Sequence, residues 1–522
     1  MHKMIKEIEQ ERIALQADLD AEKTQAERNR LGQFATPTAL ARDILEYASK
    51  LISSNEKVRF LDPAIGTGSF YSALLKLFPQ NRIEEAVGFE IDPHYGEPSR
   101  ILWKDTSLTL KIADFTHEKP SRRFNLLICN PPYVRHHHLQ NGNKFRLQSN
   151  TRKASGMKLS GLAGLYCHFL GLAHAWLADG GVAGWLIPSE FMDVNYGAEV
   201  KTYLLKRVTL LHIHRFDPDD VQFADALVSS AVVWIRNTPP PVAHEVLFTM
   251  GGTLLEPKLS RSISTKELAL ESKWSRFPVA DVRLKVATPK LSDFFQIKRG
   301  IATGDNKFFI LSEDAVKAHE LPTQELHPIL PSPRYLLEDE VKADQYGNPL
   351  VERRLFLLDT HLRENEIKDR YPKLWAYLEM GKEKGIHKGY ICSHRSPWYS
   401  QENRLPAPIV CTYIGRGDTK RGRPFRFILN ESRATVANVY LAMYPTPLLA
   451  RALKNDKTLI YRVWRVLNTI STDQLLSEGR VYGGGMFKLE PKELANVDAT
   501  AIAELIPDLK AESKPEQLTM LG

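Results

Sequence analysis

A chain of 522 residues with 43% hydrophobic content can bury large cores, and its length points to about two to four domains. The formal net charge of +8 favours a polyanionic partner without choosing among nucleic acid, a membrane surface and plain solubility. The four cysteines, Cys129, Cys167, Cys392 and Cys411, are too scattered for a Cys-x-x-Cys zinc site or a secreted disulfide framework, which fits a reducing cytoplasm. No apolar run approaches membrane-spanning length, and the charged first residues hold no signal-peptide core.

Residues 1–30 place Ile5, Ile8, Leu15 and Leu19 near one helical face. An amphipathic helical segment laid over the body of the protein is expected, because the pattern does not last the several heptads a coiled-coil dimer needs. From Leu31 to about residue 245 short apolar strands alternate with helical patterns, the mark of a mostly parallel sheet covered on both faces. Four predicted strands end in polar groups. "VRFLDPAIGTGSF" runs through Asp62, Pro63 and Ala64 into a loop with Gly66 and Gly68; "AVGFEIDP" ends at Glu90, Ile91 and Asp92; "LTLKIADF" ends at Asp114 and Phe115; "FNLLICNPPY" ends at Asn130. In a doubly wound sheet, ligands bind beyond the carboxyl ends of the strands, so these tips are expected to line one cleft.

Each tip has a plain structural alternative. Gly66 and Gly68 serve equally for a tight turn and close helix packing, and Asp114 for a helix N-cap. Glu90, however, lies 22 positions past Gly68, close to the spacing at which the second strand of a nucleotide-binding fold offers a carboxylate to ribose hydroxyls. No GKS or GKT follows the glycine loop, so it lacks the phosphate-gripping lysine of a P-loop. A glycine loop, a ribose-binding acid and an adenine-binding acid without a phosphate grip suit a nucleoside cofactor that carries no phosphates, of which S-adenosylmethionine is the common one.

With Asn130-Pro131-Pro132-Tyr133 after the fourth strand, the chain resembles the gamma-class N6-adenine DNA methyltransferases of bacterial restriction-modification systems, whose N/D/S-P-P-Y/F/W motif stands at that place. The prolines carry no N–H and fix their own φ, leaving a rigid turn with free carbonyls. The resemblance implies that the Asn130 side-chain oxygen and the Pro131 carbonyl accept the two hydrogens of an exocyclic amino group. It also implies that Tyr133 stacks on a base flipped out of the duplex. "GQFATPTALARDIL" resembles the family's N-terminal cofactor motif, with Phe34, Thr36 and Pro37 at matching positions, and its order before the glycine loop and "NPPY" is that of the gamma class. "GLYCHFLGLAHAWLADGGVAGWLIPSEF" resembles the helix-turn-strand that follows. "QFADALVSSAVVWI" resembles the segment carrying an aromatic that sandwiches the flipped adenine, for which Phe223 is the candidate and Phe216 a neighbouring alternative.

Cytosine-C5 methylation needs a Pro-Cys nucleophile, and the chain has no such dipeptide. Cytosine-N4 enzymes more often carry Ser or Thr in place of Asn130. Glutamine-N5 methyltransferases of release factors and ribosomal proteins share "NPPY" but are far shorter, an RNA amino-methyltransferase stands as a further alternative, and a silent DNA-binding subunit is at odds with an intact motif. His136, His137 and His138 are consecutive, alternate faces in extended chain and cannot converge on one metal.

The "NTPPPVAHE" segment breaks the pattern near Asn237, and the expected organisation is 1–30 helical segment, 31–245 catalytic domain, 246–285 linker, 286–500 target-recognition domain of mixed α+β type and 501–522 tail. "LSDFFQIKRGIATGDNKFFIL" and "VYGGGMFKLEPKEL" resemble the beginning and end of the family's recognition domain. Between them, "HRSPWYS" offers Arg395, Trp398 and Tyr399 and "YIGRGDTKRGRPFRF" offers Arg416, Lys420, Arg421, Arg423 and Arg426 as candidate DNA contacts, since basic side chains among glycines and aromatics suit phosphate positioning and base-edge reading. The implied partners are double-stranded DNA and a cognate restriction endonuclease; asymmetric recognition by one C-terminal domain suits a monomer. No nuclease motif of the PD...ExK kind accompanies them.

Overall fold

A computed structural model of the chain describes residues 2–136, 139, 141–217, 229–278, 288–416, 423–482 and 486–506. It divides into two compact units, Met1–Arg283 with Tyr482–Gly484 and Leu284–Val481 with Gly485–Gly522. No helix among the described residues is long and apolar enough to cross a membrane.

The first unit opens with α1 (His2–Ala21), α2 (Gln25–Leu31) and α3 (Thr38–Leu51). Thr24 caps α2 in a reciprocal box with Glu27, and Gly32 closes it in the left-handed region at φ 65°. Then follow β1 (Val58–Asp62), α4 (Ser69–Leu77), β2 (Ile83–Glu90), α5 (Pro93–Leu102), β3 (Leu108–Ile112), β4 (Phe124–Cys129), α6 (Asn141–Ser155), α7 (Leu165–Ala173), β5 (Leu177–Pro188), α8 (Gly197–Lys206), β6 (Thr209–Arg215) and β7 (Ser230–Arg236). The four strands expected to end in polar groups are present. They lie in one nine-stranded sheet of order β3-β2-β1-β4-β5-β7-β6-β8-β9, whose last two strands are β8 (Glu245–Gly252) and β9 (Pro257–Ser264).

The pairings from β3 to β5 are parallel, with Leu61 opposite both Val87 and Leu127 and Glu90 opposite Ile112, so the carboxyl ends of β1 to β4 share one edge. The strand order reverses between β1 and β4, which opens a crevice at that edge. Central position explains the sequence pattern: β4 is buried at all its positions and is apolar but for Asn125, whereas β3 sits at the sheet edge and alternates. One core, including Phe89, Phe115, Trp176 and Trp185, covers one side; another, including Phe60, Tyr71, Trp103 and Trp234, covers the other. Each buried aromatic of this kind contributes on the order of 1.5–3 kcal/mol of transfer free energy. All four cysteines are buried and free.

The expected linker over 246–285 is corrected by the structure. Residues 245–264 continue the sheet, β8 pairing parallel with β6 and antiparallel with β9. Val246 and Phe248, on either side of the partly exposed Leu247, bury themselves in the core, a pattern concealed by the prolines before it. Strand β8 ends in Gly251 and Gly252, both at positive φ, and the hairpin turns over the next four residues, where the Thr253 N–H donates to the Glu256 carbonyl at 3.2 Å.

The second unit is α+β. A five-stranded sheet runs in the order Phe295–Arg299, Tyr440–Pro445, Ile409–Thr412, Phe427–Asn430, Glu340–Val341, and helices including Leu459–Thr469 complete its core. Gly300, at the end of the first of these strands, passes so close to the chain that an added Cβ would lie 2.2 Å from the Ala437 carbonyl oxygen.

Candidate active site

A cavity of about 520 Å3 opens where β1 to β4 end. Its glycine loop is built from local hydrogen bonds. Asp62 Oδ1 accepts from the Ala64 N–H at 3.1 Å, the Ile65 N–H donates to the Phe89 carbonyl at 2.9 Å, and the Gly68 N–H returns to the Ile65 carbonyl at 2.8 Å. The two glycines have different duties. A Cβ on Gly68 would stand 2.6 Å from Trp103 Nε1, whose own proton is donated to the Thr67 carbonyl, so this glycine permits close packing. A Cβ on Gly66 would meet no atom within 4 Å; this residue needs freedom at φ +54° and presents bare backbone to the cavity.

Glu90 stands beside that loop with Oε2 accepting from the Gly66 N–H at 3.1 Å and Oε1 from the Asp92 N–H at 2.8 Å. Burial pushes its carboxyl up to about 7 despite those two bonds. Asp62, 1% exposed, is pushed up to about 8 by burial, with the adjacent Glu90 adding to the effect. Asp114 is the N-cap of a short 3-10 turn, Oδ1 accepting from the Thr116 N–H at 2.8 Å, and it also faces the cavity. The N-cap and the ligand-facing readings of Asp114 are thus compatible.

Asn130 follows the last residue of β4. Its Nδ2 donates to the Phe34 carbonyl at 3.0 Å and to Thr36 Oγ1 at 3.1 Å. A carbonyl can only accept, so these contacts fix the amide with nitrogen toward Phe34. The other end, Oδ1, is buried and has no hydrogen-bond partner among the described residues. The next residues are held in turn: the Tyr133 N–H donates to the Gly32 carbonyl at 3.2 Å, and the Tyr133 hydroxyl to the Leu186 carbonyl at 3.1 Å. The Tyr133 ring lies 5.8 Å from that of Phe34 at 44°.

Of the residues singled out from sequence, Phe34, Pro63, Ala64, Gly66, Glu90, Ile91, Asp114, Phe115, Asn130 and Pro132 come together around the cavity. Thr36, Asp62 and Gly68 stand behind this wall and hold it in shape, while Pro37 starts α3 as its N-cap and Pro131 is buried. Tyr133 packs against the core and Phe34. Phe223, His137 and His138 lie outside the described residues. Phe216 is buried and packs against His214, with ring centroids 5.0 Å apart. Among the described residues no group of three or more potential metal ligands converges.

Sequence reasoning missed Gln16 and Asp20 of α1, Tyr95 of α5 and Arg146 of α6, all of which line the cavity. Arg146 donates to the Thr116 carbonyl at 2.8 Å and hydroxyl at 3.1 Å, tying the turn after β3 to the segment that follows Tyr133. In a polar helix such as α6 nothing but the fold distinguishes this arginine from its solvated neighbours.

The second unit corrects part of the expected DNA surface. Tyr399 is fully buried and donates its hydroxyl to the Leu362 carbonyl, so it cannot reach a nucleic acid. Trp398 is packed among Phe308, Phe309 and Tyr399. Arg395 spends its guanidinium on the Ala302 and Thr303 carbonyls and on Gln401, and Arg426 is committed to Asp339 and the Leu336 carbonyl. The clustering that suggested a binding face reflects core aromatics and loop-tying arginines. Arg416 is exposed at the end of the strand Ile414–Arg416, and Arg423 is exposed and donates to the Asn468 carbonyl. Lys420 and Arg421 lie outside the described residues.

Known proteins bear on this site. The family model of the Eco57I restriction-modification methylase matches residues 76–222, and that of the C-terminal domain of the type II methyltransferase M.Eco57I matches residues 268–519. The type II methyltransferase M.XamI of Xanthomonas campestris pv. amaranthicola is 28% identical over 489 residues, which cover 91% of this chain and 86% of the relative. M.AccI of Acinetobacter calcoaceticus is 27% identical over 488 residues, 90% of this chain and 85% of its own. Among solved structures, the type IIL restriction-modification enzyme MmeI in complex with DNA shares the fold at a TM-score of 0.53, with 12% identity over 91% of this chain and 72% of MmeI. The residues present fit S-adenosylmethionine: an open glycine backbone at Gly66, a carboxyl at Glu90 beside it and a buried acceptor without a partner at Asn130 share one cavity. Together the two family models and these relatives identify an S-adenosylmethionine-dependent DNA methyltransferase of the restriction-modification kind, with the class I fold and a C-terminal domain similar to that of M.Eco57I.

Proposed function

We propose that the enzyme methylates N6 of an adenine turned out of duplex DNA, as the modification activity of a restriction-modification system, with its C-terminal domain reading the target sequence. The observation that carries this reading is the buried Asn130 Oδ1, which has no partner while the Nδ2 of the same amide has two. An unsatisfied buried acceptor costs about 1–3 kcal/mol, and an incoming amino group relieves that cost. Asn130 Oδ1 and the Pro131 carbonyl accept the two amino hydrogens, which turns the nitrogen lone pair out of conjugation with the ring. When bound, S-adenosylmethionine supplies a methyl group activated by a sulfonium. The residues around it bind and orient: Glu90 receives ribose hydroxyls, Asp114 and Phe115 hold the adenine edge and face, and the Phe34–Thr36 segment fixes Asn130. Asn130 itself, where cytosine-N4 enzymes more often carry Ser or Thr, supports adenine as the base. In the recognition domain, Arg416 is our candidate phosphate contact, followed in sequence by Lys420 and Arg421.

The test is methyl transfer from labelled S-adenosylmethionine to genomic DNA lacking native methylation, followed by nucleoside analysis and single-molecule mapping. N6-methyladenine at one recurring sequence is expected. N4-methylcytosine would overturn the base assignment, and label confined to protein or RNA would overturn the DNA substrate.

A pH dependence follows from Glu90. Its carboxyl is raised to about 7 by burial, so below that value it is largely neutral. Hydroxyl donors favour the carboxylate and lower its pKa in the complex, so binding releases a proton and affinity grows as pH rises through 7. Calorimetric titration with S-adenosylhomocysteine between about pH 6 and 8, in two buffers of different ionisation enthalpy, is expected to show both effects. Affinity independent of pH with no proton release would remove the role given to Glu90.

A further inference from the structure

Helix α1 reads in sequence as an amphipathic helix laid over the body of the protein by its apolar residues, yet the charged Glu9 and Arg12 are buried at 6% and 2% exposure. Burying such a pair is costly unless its polar atoms are engaged, and here all of them but Arg12 Nε find partners among the described residues, mostly on the cofactor loop and its helix. Arg12 donates to Ser69 Oγ at 2.9 Å, to Thr38 Oγ1 at 2.8 Å and to Glu9 at 2.9 Å. Glu9 also accepts from Ser72 and lies 3.0 Å from Lys76 Nζ. The next positions on the same helical face, four and eight residues on, are Gln16 and Asp20. Gln16 Oε1 accepts from the Thr67 hydroxyl at 2.7 Å, inside the glycine loop, while its Nε2 donates to Asp20 Oδ1 at 3.0 Å. Tyr95 donates to the same Asp20 oxygen at 2.8 Å. Beyond the helix, Lys23 pairs with Asp92, which also accepts from Gln33 at 2.8 Å, so the arm is fastened to the loop that follows Glu90 as well. A helix that merely covered apolar surface would need none of these bonds. Their common effect is to hold Gln16 and Asp20 at the cavity, next to Gly66 and Glu90.

We propose that α1 is a wall of the cofactor cleft and that Gln16 and Asp20 contact bound S-adenosylmethionine from its ribose side. This rests on the reading of the cavity as the cofactor site. Asp20 brings a second carboxylate to the side where Glu90 already gives both oxygens to backbone N–H groups. Because the arm leads through Gly32 into the Phe34–Thr36 segment that holds Asn130, docking of α1 and cofactor binding reinforce one another.

The experiment is calorimetric titration of the full chain with S-adenosylhomocysteine, comparing wild type with Gln16→Ala, Asp20→Asn, Glu90→Ala and the exposed-face control Asp18→Ala. Asp20→Asn keeps an oxygen for Tyr95 but gives up the ion pair with Arg28 at 3.6 Å, so thermal melting without ligand checks that each variant folds as wild type does. Gln16→Ala and Asp20→Asn are expected to weaken binding at least fivefold, with Asp18→Ala unchanged. If both bind like wild type while Glu90→Ala loses affinity, the cofactor site stands and α1 is not part of it. If wild type itself fails to bind the probe, the cofactor reading of the cavity falls and this inference with it.

Discussion

Asn130→Ala is expected to lower the rate of methyl transfer by about 10²–10⁴-fold, the range found when a positioned catalytic group or hydrogen-bond partner is removed, while affinity for S-adenosylhomocysteine stays near that of wild type. Two losses combine. The acceptor Oδ1, buried and without a partner, disappears, so one amino hydrogen of the target base has nothing to bond. At the same time the Phe34 carbonyl and Thr36 hydroxyl lose the Nδ2 donor that ties the N-terminal cofactor segment to the end of β4. The second loss costs about 1 kcal/mol of stability, too little to unfold a chain with cores of this size. Asn130→Asp separates the two effects: it keeps acceptors for the base but turns a carboxylate toward the Phe34 carbonyl, so it should be less active than wild type and less stable than Asn130→Ala. Single-turnover kinetics on duplex substrate, with calorimetry for the cofactor product, measures both. A rate within tenfold of wild type for Asn130→Ala would end the assignment of Asn130 as the amino-group acceptor.

What sequence conveyed and what it concealed divide along physical lines. The polar ends of β1, β2 and β4 were legible because a buried parallel strand reads as a mainly apolar run, and an Asp, Glu or Asn where that run stops is conspicuous; Glu90 and Asn130 lie on one cavity with Asp114, which follows the alternating edge strand β3. The hairpin of β8 and β9 was not legible, since three prolines before it resemble a domain break and its edge strand β9 is mostly exposed. Gln16 and Asp20 were concealed because a polar residue that faces a polar cavity looks the same in sequence as one that faces water. The error over Tyr399, Trp398 and Arg395 has the same root in reverse: aromatic and basic residues in one short stretch suit nucleic acid, but they equally suit a core aromatic flanked by an arginine that satisfies loop carbonyls. Periodicity reports burial of strands and helices well, and reports nothing about which way an isolated polar side chain in a loop is turned.

Gly32→Ala is expected to cost about 10²-fold in turnover although Gly32 touches neither reacting group. Gly32 ends α2 in the left-handed region at φ 65°, where alanine pays about 1 kcal/mol or slightly more. The greater effect is steric. A Cβ there would lie 2.4 Å from the Tyr133 nitrogen, 2.8 Å from the Tyr133 carbonyl carbon and 3.0 Å from the Pro132 carbonyl carbon. All three are backbone atoms of a turn that Pro131 and Pro132 make rigid, so no side chain can swing aside, and either the turn or the Gly32–Phe34 segment must shift. Displacement of catalytic groups by about 1 Å is enough for a 10²-fold loss. Gly66→Ala provides the contrast, because its Cβ meets nothing within 4 Å and projects into the cavity region. That variant should weaken cofactor binding with a smaller effect on the rate at saturating cofactor, whereas Gly32→Ala should lower the saturated rate. Measuring kcat and cofactor affinity for both distinguishes a site defined by the fit of two backbone segments from one defined by its side chains alone: wild-type turnover in Gly32→Ala would show that the approach of Gly32 to Tyr133 does not hold the Asn130 turn in place.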